Sequence, residues 1–294
     1  MIQTVLLAGS TGMLGSKIAR HLMDQPEVRV RLLVRPAGEA AKRAALSPLL
    51  DRGAEVFEGD LTDRLALDRA TRGVDVIVSA LQGGHDVIVD GQVALAEAGK
   101  RNGVRRILPS DYALDLFKAT PGEHMTFDMR ATADARIREI GLEQVNVLQG
   151  AFMEMFLPGQ GAIDLDAGTV SFFGDGNQAI EVTSVEDTAR MVARIALDFG
   201  VSSGKFAFAG DRVTMRQAGD IVALRTGRPI RAVSLGSESD LRAAMASAKP
   251  QKKVMLAYVL YMTNGQTALS HLQTDRYGVR FESLADFVER SIPR

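Results

Sequence analysis

The chain predicts an α/β fold, a doubly wound parallel sheet followed by a smaller C-terminal α+β region. Three observations predict it. A strand runs into a glycine-rich turn and then a helix between Thr4 and Leu22. Val74 to Ala80 is a continuous apolar run, as a parallel strand covered on both faces requires. Strand and helix alternate five times with short connections before Tyr112. Residues 1–150 are expected to carry the sheet and residues 151–294 a second region, partly interleaved with the first, because no flexible linker, repeat or low-complexity tract separates them.

Val5 to Ala8 form the first strand, and Leu14, Ile18, Ala19 and Leu22 give the next segment a helical apolar face. Between them lies Gly9-Ser10-Thr11-Gly12-Met13-Leu14-Gly15. If the ligand is a dinucleotide, each glycine has a task. Gly9 lets the chain leave the strand sharply, Gly12 lets the backbone approach a pyrophosphate, and Gly15 lets the helix pack closely on the sheet. Ser10 and Thr11 add hydroxyl donors, and the free N–H groups of the first helical turn add partial positive charge. The Gly-x-x-Gly-x-x-Gly spacing taken alone also describes an ordinary strand-to-helix turn; the flanking strand and helix favour binding.

Val28 to Val34 is a second strand ended by Arg35-Pro36. In dinucleotide folds a carboxylate at this place binds the ribose 2'-hydroxyl, whereas an arginine accommodates a 2'-phosphate. Arg35, with Lys42 and Arg43 close behind, is therefore read either as a phosphate ligand or as a solvated charge at a strand end. Glu55 to Asp63 is a third strand turning into a helix, with Thr62 or Asp63 as N-cap; Asp60 and Leu61 would lie near an adenine, although helix capping alone would equally explain the acidic residues. The fourth strand, Val74 to Ala80, exits through Leu81-Gln82-Gly83-Gly84, and Asp86 to Asn102 reads as one helix ended by Gly103. Arg105 to Leu108 is the fifth strand and Pro109-Ser110-Asp111-Tyr112 its exit. Gly9, Arg35, Asp60, Ala80, Leu81, Gln82, Pro109 and Ser110 thus all stand at carboxyl ends of strands, where such sheets bind ligands.

A helix from Phe127 to Ile140 and a strand from Val145 to Leu148 follow. The composition then changes. Gly150 to Pro158 is rich in aromatic residues and methionine, and Phe152, Met153 and Phe156 either wall an apolar pocket or fill a core. Further on, the pattern predicts helices over Val185–Leu197, Met215–Thr226, Glu238–Ala248 and Lys253–Met262, a strand over Lys205–Ala209, and a closing strand and helix over Val279–Ile292.

Composition narrows the chemistry. Lys plus Arg number 35 against 36 Asp plus Glu, a net charge of -1 that gives no footprint for nucleic acid. There is no cysteine, so disulfides, thiolate metal sites and a cysteine nucleophile are excluded. His21, His85, His124 and His271 stand at no metal-ligand spacing, and no metal is expected. The first strand begins almost at Met1 without a signal-peptide pattern, and the charge-free stretch after Lys253 turns polar at Thr263. The expectation is a soluble, cytoplasmic protein that does not span a membrane.

With these residues in hand, the chain resembles the isoflavone reductase-like and NmrA-like group of atypical short-chain dehydrogenase/reductases. The glycine turn, Leu33-Val34-Arg35, Arg106-Ile107-Leu108-Pro109-Ser110-Asp111-Tyr112, Phe173-Gly174-Asp175-Gly176-Asn177 and Val185-Glu186-Asp187 carry the resemblance, which weakens after about Ala209. It implies a Rossmann domain binding NADPH, and a smaller domain shaping a pocket for an aromatic or otherwise apolar small molecule, quinone-like or enone, that receives hydride. It also implies a lysine, in the helix after the Pro-Ser-Asp-Tyr element, acting as general acid or base. Counting back from Gly141 places Arg130 there instead. An arginine can orient substrate or stabilise negative charge but cannot shuttle a proton, which leaves Tyr112, Lys118 and His124 as candidates for that role. Each has a plainer reading: core packing for Tyr112, a solvated helix end for Lys118 and a surface loop for His124. The alternative function, from the NmrA-like branch, is a non-enzymatic NAD(P) sensor whose bound nucleotide alters association with a regulatory protein partner. A homodimer is the other assembly considered.

Overall fold

A computed structural model describes residues 2–36, 40–159 and 161–292 of the chain, and the side chains of Lys42 and Arg43 lie outside the described residues. In chain order, β1 (Gln3–Ala8), α1 (Met13–Met23), β2 (Val28–Val34), α2 (Ala40–Leu50), β3 (Glu55–Glu58), α3 (Arg64–Thr71), β4 (Val76–Ser79), α4 (Gln92–Arg101), β5 (Arg106–Leu108), α5 (Met125–Ile140) and β6 (Glu143–Leu148) build a parallel sheet and its helical cover. After α6 (Val185–Leu197), a seventh strand, Gly204–Ala207, joins beside β6. The order from the other edge is β3-β2-β1-β4-β5-β6, so the winding direction reverses between β1 and β4. That reversal opens the crevice at which sheets of this kind bind their ligands.

Both faces of the central strands are covered, which is why they read as unbroken apolar runs. Leu6 and Ala8 of β1 and Ile77 of β4 join one cluster with Leu67 and Ala70 of α3, Val93 and Ala96 of α4 and Ile137 of α5. Val5 and Leu7, also fully buried, face the other way. Each of the buried Leu, Val and Ile side chains contributes about 1.5–3 kcal/mol by leaving water. One charged side chain in this interior is Arg106. Its guanidinium is completely enclosed, donating to the carbonyls of Ile195, Asp198 and Val201 and to Glu143 Oε2 at 3.0 Å, so it caps the end of α6 and fastens it to the sheet.

The chain divides into two compact units. One comprises Met1–Asp111, Met129–Val147 and Thr188–Phe206, the other Tyr112–Asp128, Leu148–Asp187 and Ala207–Arg294. The second has two three-stranded sheets, one of Ala151–Phe152, Ile180–Thr183 and Asp211–Val213, the other of Ile163–Asp164, Thr169–Phe172 and Arg231–Ser234. Phe156, Phe172 and Phe287 are central to its core.

Three sequence expectations are corrected. Asp86–Asn102 is not one regular helix, because Asp86–Gly91 forms a wide π turn before α4 begins. No strand forms at Val279: the Glu282 and Leu284 N–H groups donate to the carboxylates of Asp187 and Asp211 rather than to a neighbouring strand. The helix expected over Lys253–Met262 runs Pro250–Asn264, started by a proline whose missing N–H is harmless there and ended by Gly265 at φ +69°. Among the described residues no helix is long and apolar enough to cross a membrane.

Candidate functional site

The glycine turn is built as its residue types require. Gly9 adopts φ +91°, and a Cβ there would lie 2.4 Å from Ala80 O; a Cβ on Gly15 would lie 2.1 Å from Gly9 O. Those two glycines are imposed by the protein's own packing. Gly12 is different: a Cβ there meets nothing closer than Gly9 O at 3.4 Å, and its backbone is exposed. Gly12 is the N-cap of α1, yet no side chain caps it and no acidic residue occupies the first turn. The helix therefore presents its N–H groups and its positive end, uncompensated, to the space above Gly12. Ser10 Oγ is buried there without a hydrogen-bond partner among the described residues, whereas Thr11 and Met13 are exposed and Leu14 is half-buried. A donor-rich cradle of this kind fits an anion such as a pyrophosphate.

Around this cradle stand the exits of the other strands. Arg35 is exposed at the end of β2. Asp60 receives the Thr62 N–H at 3.0 Å and the Thr62 hydroxyl at 2.8 Å, and these bonds, aided by the Arg35 charge, hold its carboxyl below the usual range. Capping of α3 falls instead to Asp63, which accepts from Ala66 N, so Asp60 is not needed for the helix. Leu61 packs against Gly91 in the π turn, where a Cβ would come within 2.6 Å of it. Ala80 N donates to Ala8 O, Leu81 O accepts from Ser110 Oγ at 2.7 Å, Gln82 is exposed and Pro109 is buried.

Sequence reasoning missed the residue that ties this rim together. Gln92, fully buried, accepts from Ser110 N at 2.9 Å and donates to Ile88 O at 2.8 Å. It thus joins the π turn to the β5 exit, while Ser110 passes the link on to Leu81. The available signal was a glutamine interrupting the apolar face of α4. Ser79, whose buried Oγ also has no partner among the described residues, was missed too.

Arg130 lies on α5, half-buried, with Nη1 donating to the Asp111 carbonyl at 2.8 Å. Behind it the Asp111 carboxyl is fully buried and accepts from Asn146 Nδ2 at 2.8 Å; burial pushes it up to about 6, against the opposing pull of Asn146 and Arg130. The other three catalytic candidates belong to the second unit. Tyr112 is buried. Lys118 donates to Ala268 O and pairs with Asp115 at 3.8 Å, so its ammonium has local structural partners. His124 is corrected from a surface residue to a fully buried one. Its ring stacks on Phe127 at 4.0 Å between centroids, meets Tyr258 edge-on at 4.3 Å, and accepts from Phe127 N through Nδ1.

Of the expected pocket residues, Met153 and Phe156 are completely enclosed in the core of the second unit, the second of the two readings offered for them, and Phe152 keeps exposed surface. A hollow of about 370 Å³ in the same unit is bordered by Gly122, Glu123, Arg242 and Lys253 and crossed by the Glu123–Arg242 ion pair, which makes it a poor seat for an apolar molecule. No grouping of side chains that could hold a metal ion occurs among the described residues.

Comparison with known proteins agrees with this architecture. The model of the NmrA-like family matches residues 1–271. Pinoresinol reductase 1 of Arabidopsis thaliana is 28% identical over 214 residues, 66% of this chain and 64% of that protein, so the chain matches slightly less than two thirds of that relative's length. A bifunctional pinoresinol-lariciresinol reductase of Linum usitatissimum is 23% identical over 270 residues, 88% of this chain and 86% of that protein. A solved structure of AtPrR2 with NADP+ and (+)pinoresinol superposes with a TM-score of 0.88 at 22% identity over 99% of both chains, and an isoflavone reductase structure with 0.87 at 18% over 99% of both. At these identities the structural likeness speaks for the fold.

Proposed function

This chain belongs to the NmrA-like family, and from that premise we propose that it is an NADPH-dependent reductase delivering hydride to an aromatic, quinone-like or enone small molecule. The observation that carries the reading is the uncapped, carboxylate-free N-terminus of α1 above Gly12, with the buried Ser10 hydroxyl lacking a partner among the described residues beside it. The named reductases among the relatives point to the same chemistry.

In this reading the pyrophosphate is held by the backbone from Gly9 to Gly15 and the Ser10 and Thr11 hydroxyls. Arg35 would hold the 2'-phosphate through charge-assisted hydrogen bonds. Asp60 and Leu61 flank the adenine, and Ala80, Leu81, Gln82, Pro109 and Ser110 border the remainder of the nucleotide. When bound, NADPH supplies hydride from C4 of its nicotinamide. Arg130 is a fixed positive donor that stabilises negative charge developing on the acceptor, while the Asp111 carbonyl holds one end of its guanidinium.

Arg130 at the place of the family lysine favours the second reading, a nucleotide sensor without turnover. Single-turnover oxidation of NADPH with a panel of aromatic acceptors separates the two. Arg130→Met is expected to slow oxidation about a hundredfold, on the order of 3 kcal/mol, with NADPH affinity retained, and Arg130→Lys to keep activity. A wild-type rate untouched by Arg130→Met removes the catalytic role. Binding of NADPH without oxidation by any acceptor supports the sensor.

A further inference from the structure

Four side chains behind Arg130 form a buried polar chain that the proposed reaction does not use. Asp134 stands four residues after Arg130 on α5, so the two share a helix face. Gln144 and Asn146, two residues apart on β6, share a face of the sheet. Asn146 Nδ2 donates to Asp111 Oδ2 at 2.8 Å, and Gln144 Nε2 donates to Asp134 Oδ1 at 3.0 Å and to Asn146 Oδ1 at 3.3 Å. Both carboxyls and both amides are buried.

The hydrogen-bond count does not close if both carboxyls are ionised. Asp111 Oδ1, Asp134 Oδ2 and Gln144 Oε1 are buried acceptors with no donor among the described residues, and Arg130 Nε is a buried donor with no acceptor. An ionised carboxylate can only accept, so these three acceptors outnumber the buried spare donors beside them, Arg130 Nε–H and the second N–H of the Asn146 amide. A proton on one carboxyl turns an acceptor into a donor and removes one of two neighbouring negative charges at the same time. The charged groups facing the pair are Arg130 and Arg138 of α5 and the two carboxylates themselves; β6 contributes neutral amides.

We propose that Asp111 and Asp134 share one proton at neutral pH, and that Asp111, through the gain or loss of this proton, is a positioning residue for the Arg130 guanidinium. The electrostatics run the same way. Burial raises Asp111, and burial followed by the Asp111 charge raises Asp134 well above the ordinary carboxylate range. With one proton on the pair, Arg130 faces one compensating negative charge; with two protons it faces none, and its hold on the Asp111 carbonyl slackens. The importance of this for turnover rests on the reductase reading, whereas the shared proton and its effect on Arg130 do not.

The test uses the whole chain without nucleotide, labelled with ¹³C at aspartate Cγ and ¹⁵N at arginine Nε. The Arg130 signal is identified by its absence in Arg130→Lys. In the wild type, at least one buried aspartate is expected to titrate near pH 6 or above, about two pH units over the ordinary value near 3.9, and the Arg130 Nε resonance is expected to shift with the same midpoint. Asp111→Asn should abolish that shift and lower the Asp134 midpoint, a pattern that a purely structural role would not produce. The proposal is overturned if every aspartate ionises below about pH 4.5, or if the Arg130 signal stays still while the pair titrates. Both observations are made on the wild type, so a variant that fails to fold does not shield the idea. A titrating pair in a protein that oxidises no NADPH would sink the reductase reading and leave this inference standing.

Discussion

Replacing Gln92 by leucine tests how the site is held together. Leucine has nearly the volume of glutamine, so the change removes hydrogen bonds without opening a large cavity. Ser110 N loses its acceptor at 2.9 Å and Ile88 O its donor at 2.8 Å. Ser110 is buried and so is Ile88, so each stranded backbone group costs roughly 1–3 kcal/mol. The expected loss is about 2–6 kcal/mol, which for a folding unit of this size lowers the thermal midpoint by roughly 4–24 °C. Ser110 also anchors Leu81 through its hydroxyl, so the rim should loosen and NADPH affinity fall along with the midpoint. Differential scanning calorimetry with and without NADPH reads both effects. A midpoint within about 1 °C of wild type and an unchanged nucleotide-dependent shift would refute the claim that Gln92 holds the π turn and the β5 exit in register.

Arg35→Ala should weaken NADPH binding by roughly ten- to a hundredfold, the worth of charge-assisted hydrogen bonds of about 1.5–3 kcal/mol, and leave NADH binding nearly unchanged; equal losses in calorimetry would detach Arg35 from the 2'-phosphate. Gly12→Val should abolish dinucleotide binding while the fold persists, since a Cβ there comes no closer to protein than an ordinary contact of 3.4 Å with Gly9 O, with circular dichroism checking the fold and titration calorimetry the binding. Stability should depend on pH through the buried pair. The folded-state value of Asp111 is raised to about 6, so between the unfolded value of 3.8 and that point the folded state binds more protons, and its advantage is lost as pH rises through the folded value. Relative to Asp134→Asn, wild-type unfolding free energy should therefore fall with rising pH, by at most about 1.4 kcal/mol per pH unit for each proton. Denaturant unfolding at pH 4, 6 and 8 reads the difference, and a gap independent of pH contradicts the shared proton.

The first half of the fold was legible because its signals are local. Apolar runs mark β1, β2 and β4, glycines and Pro36 mark the turns, and the alternation of the two patterns dictates a parallel sheet. The π turn at Asp86–Gly91 was not legible, since one extra residue wound into a helix leaves the apolar positions of α4 intact. Ile163–Asp164 escaped notice because it is only two residues long, and Arg231–Ser234 because it is short and depends on pairing with the distant Thr169–Phe172. At the site, the glycine turn and the strand exits could be named from residue types alone. Gln92, Asp134, Gln144 and Asn146 could not, because a polar side chain on an apolar element becomes meaningful only when its buried partner is known. Asp111 was quoted only as part of a motif, and Met153 and Phe156 show the converse: an apolar cluster in sequence does not say whether it faces a ligand or the core.

Hydride transfer from a nucleotide held above Gly12 is read by following the hydrogen itself. NADPH carrying deuterium at C4 is mixed with the protein and a panel of aromatic and enone acceptors, and the products are analysed by mass spectrometry. Hydride transfer yields a product that has gained one deuterium per NADPH oxidised, with label from one face of the nicotinamide only. Tight binding of NADPH with no deuterium in any acceptor would contradict it.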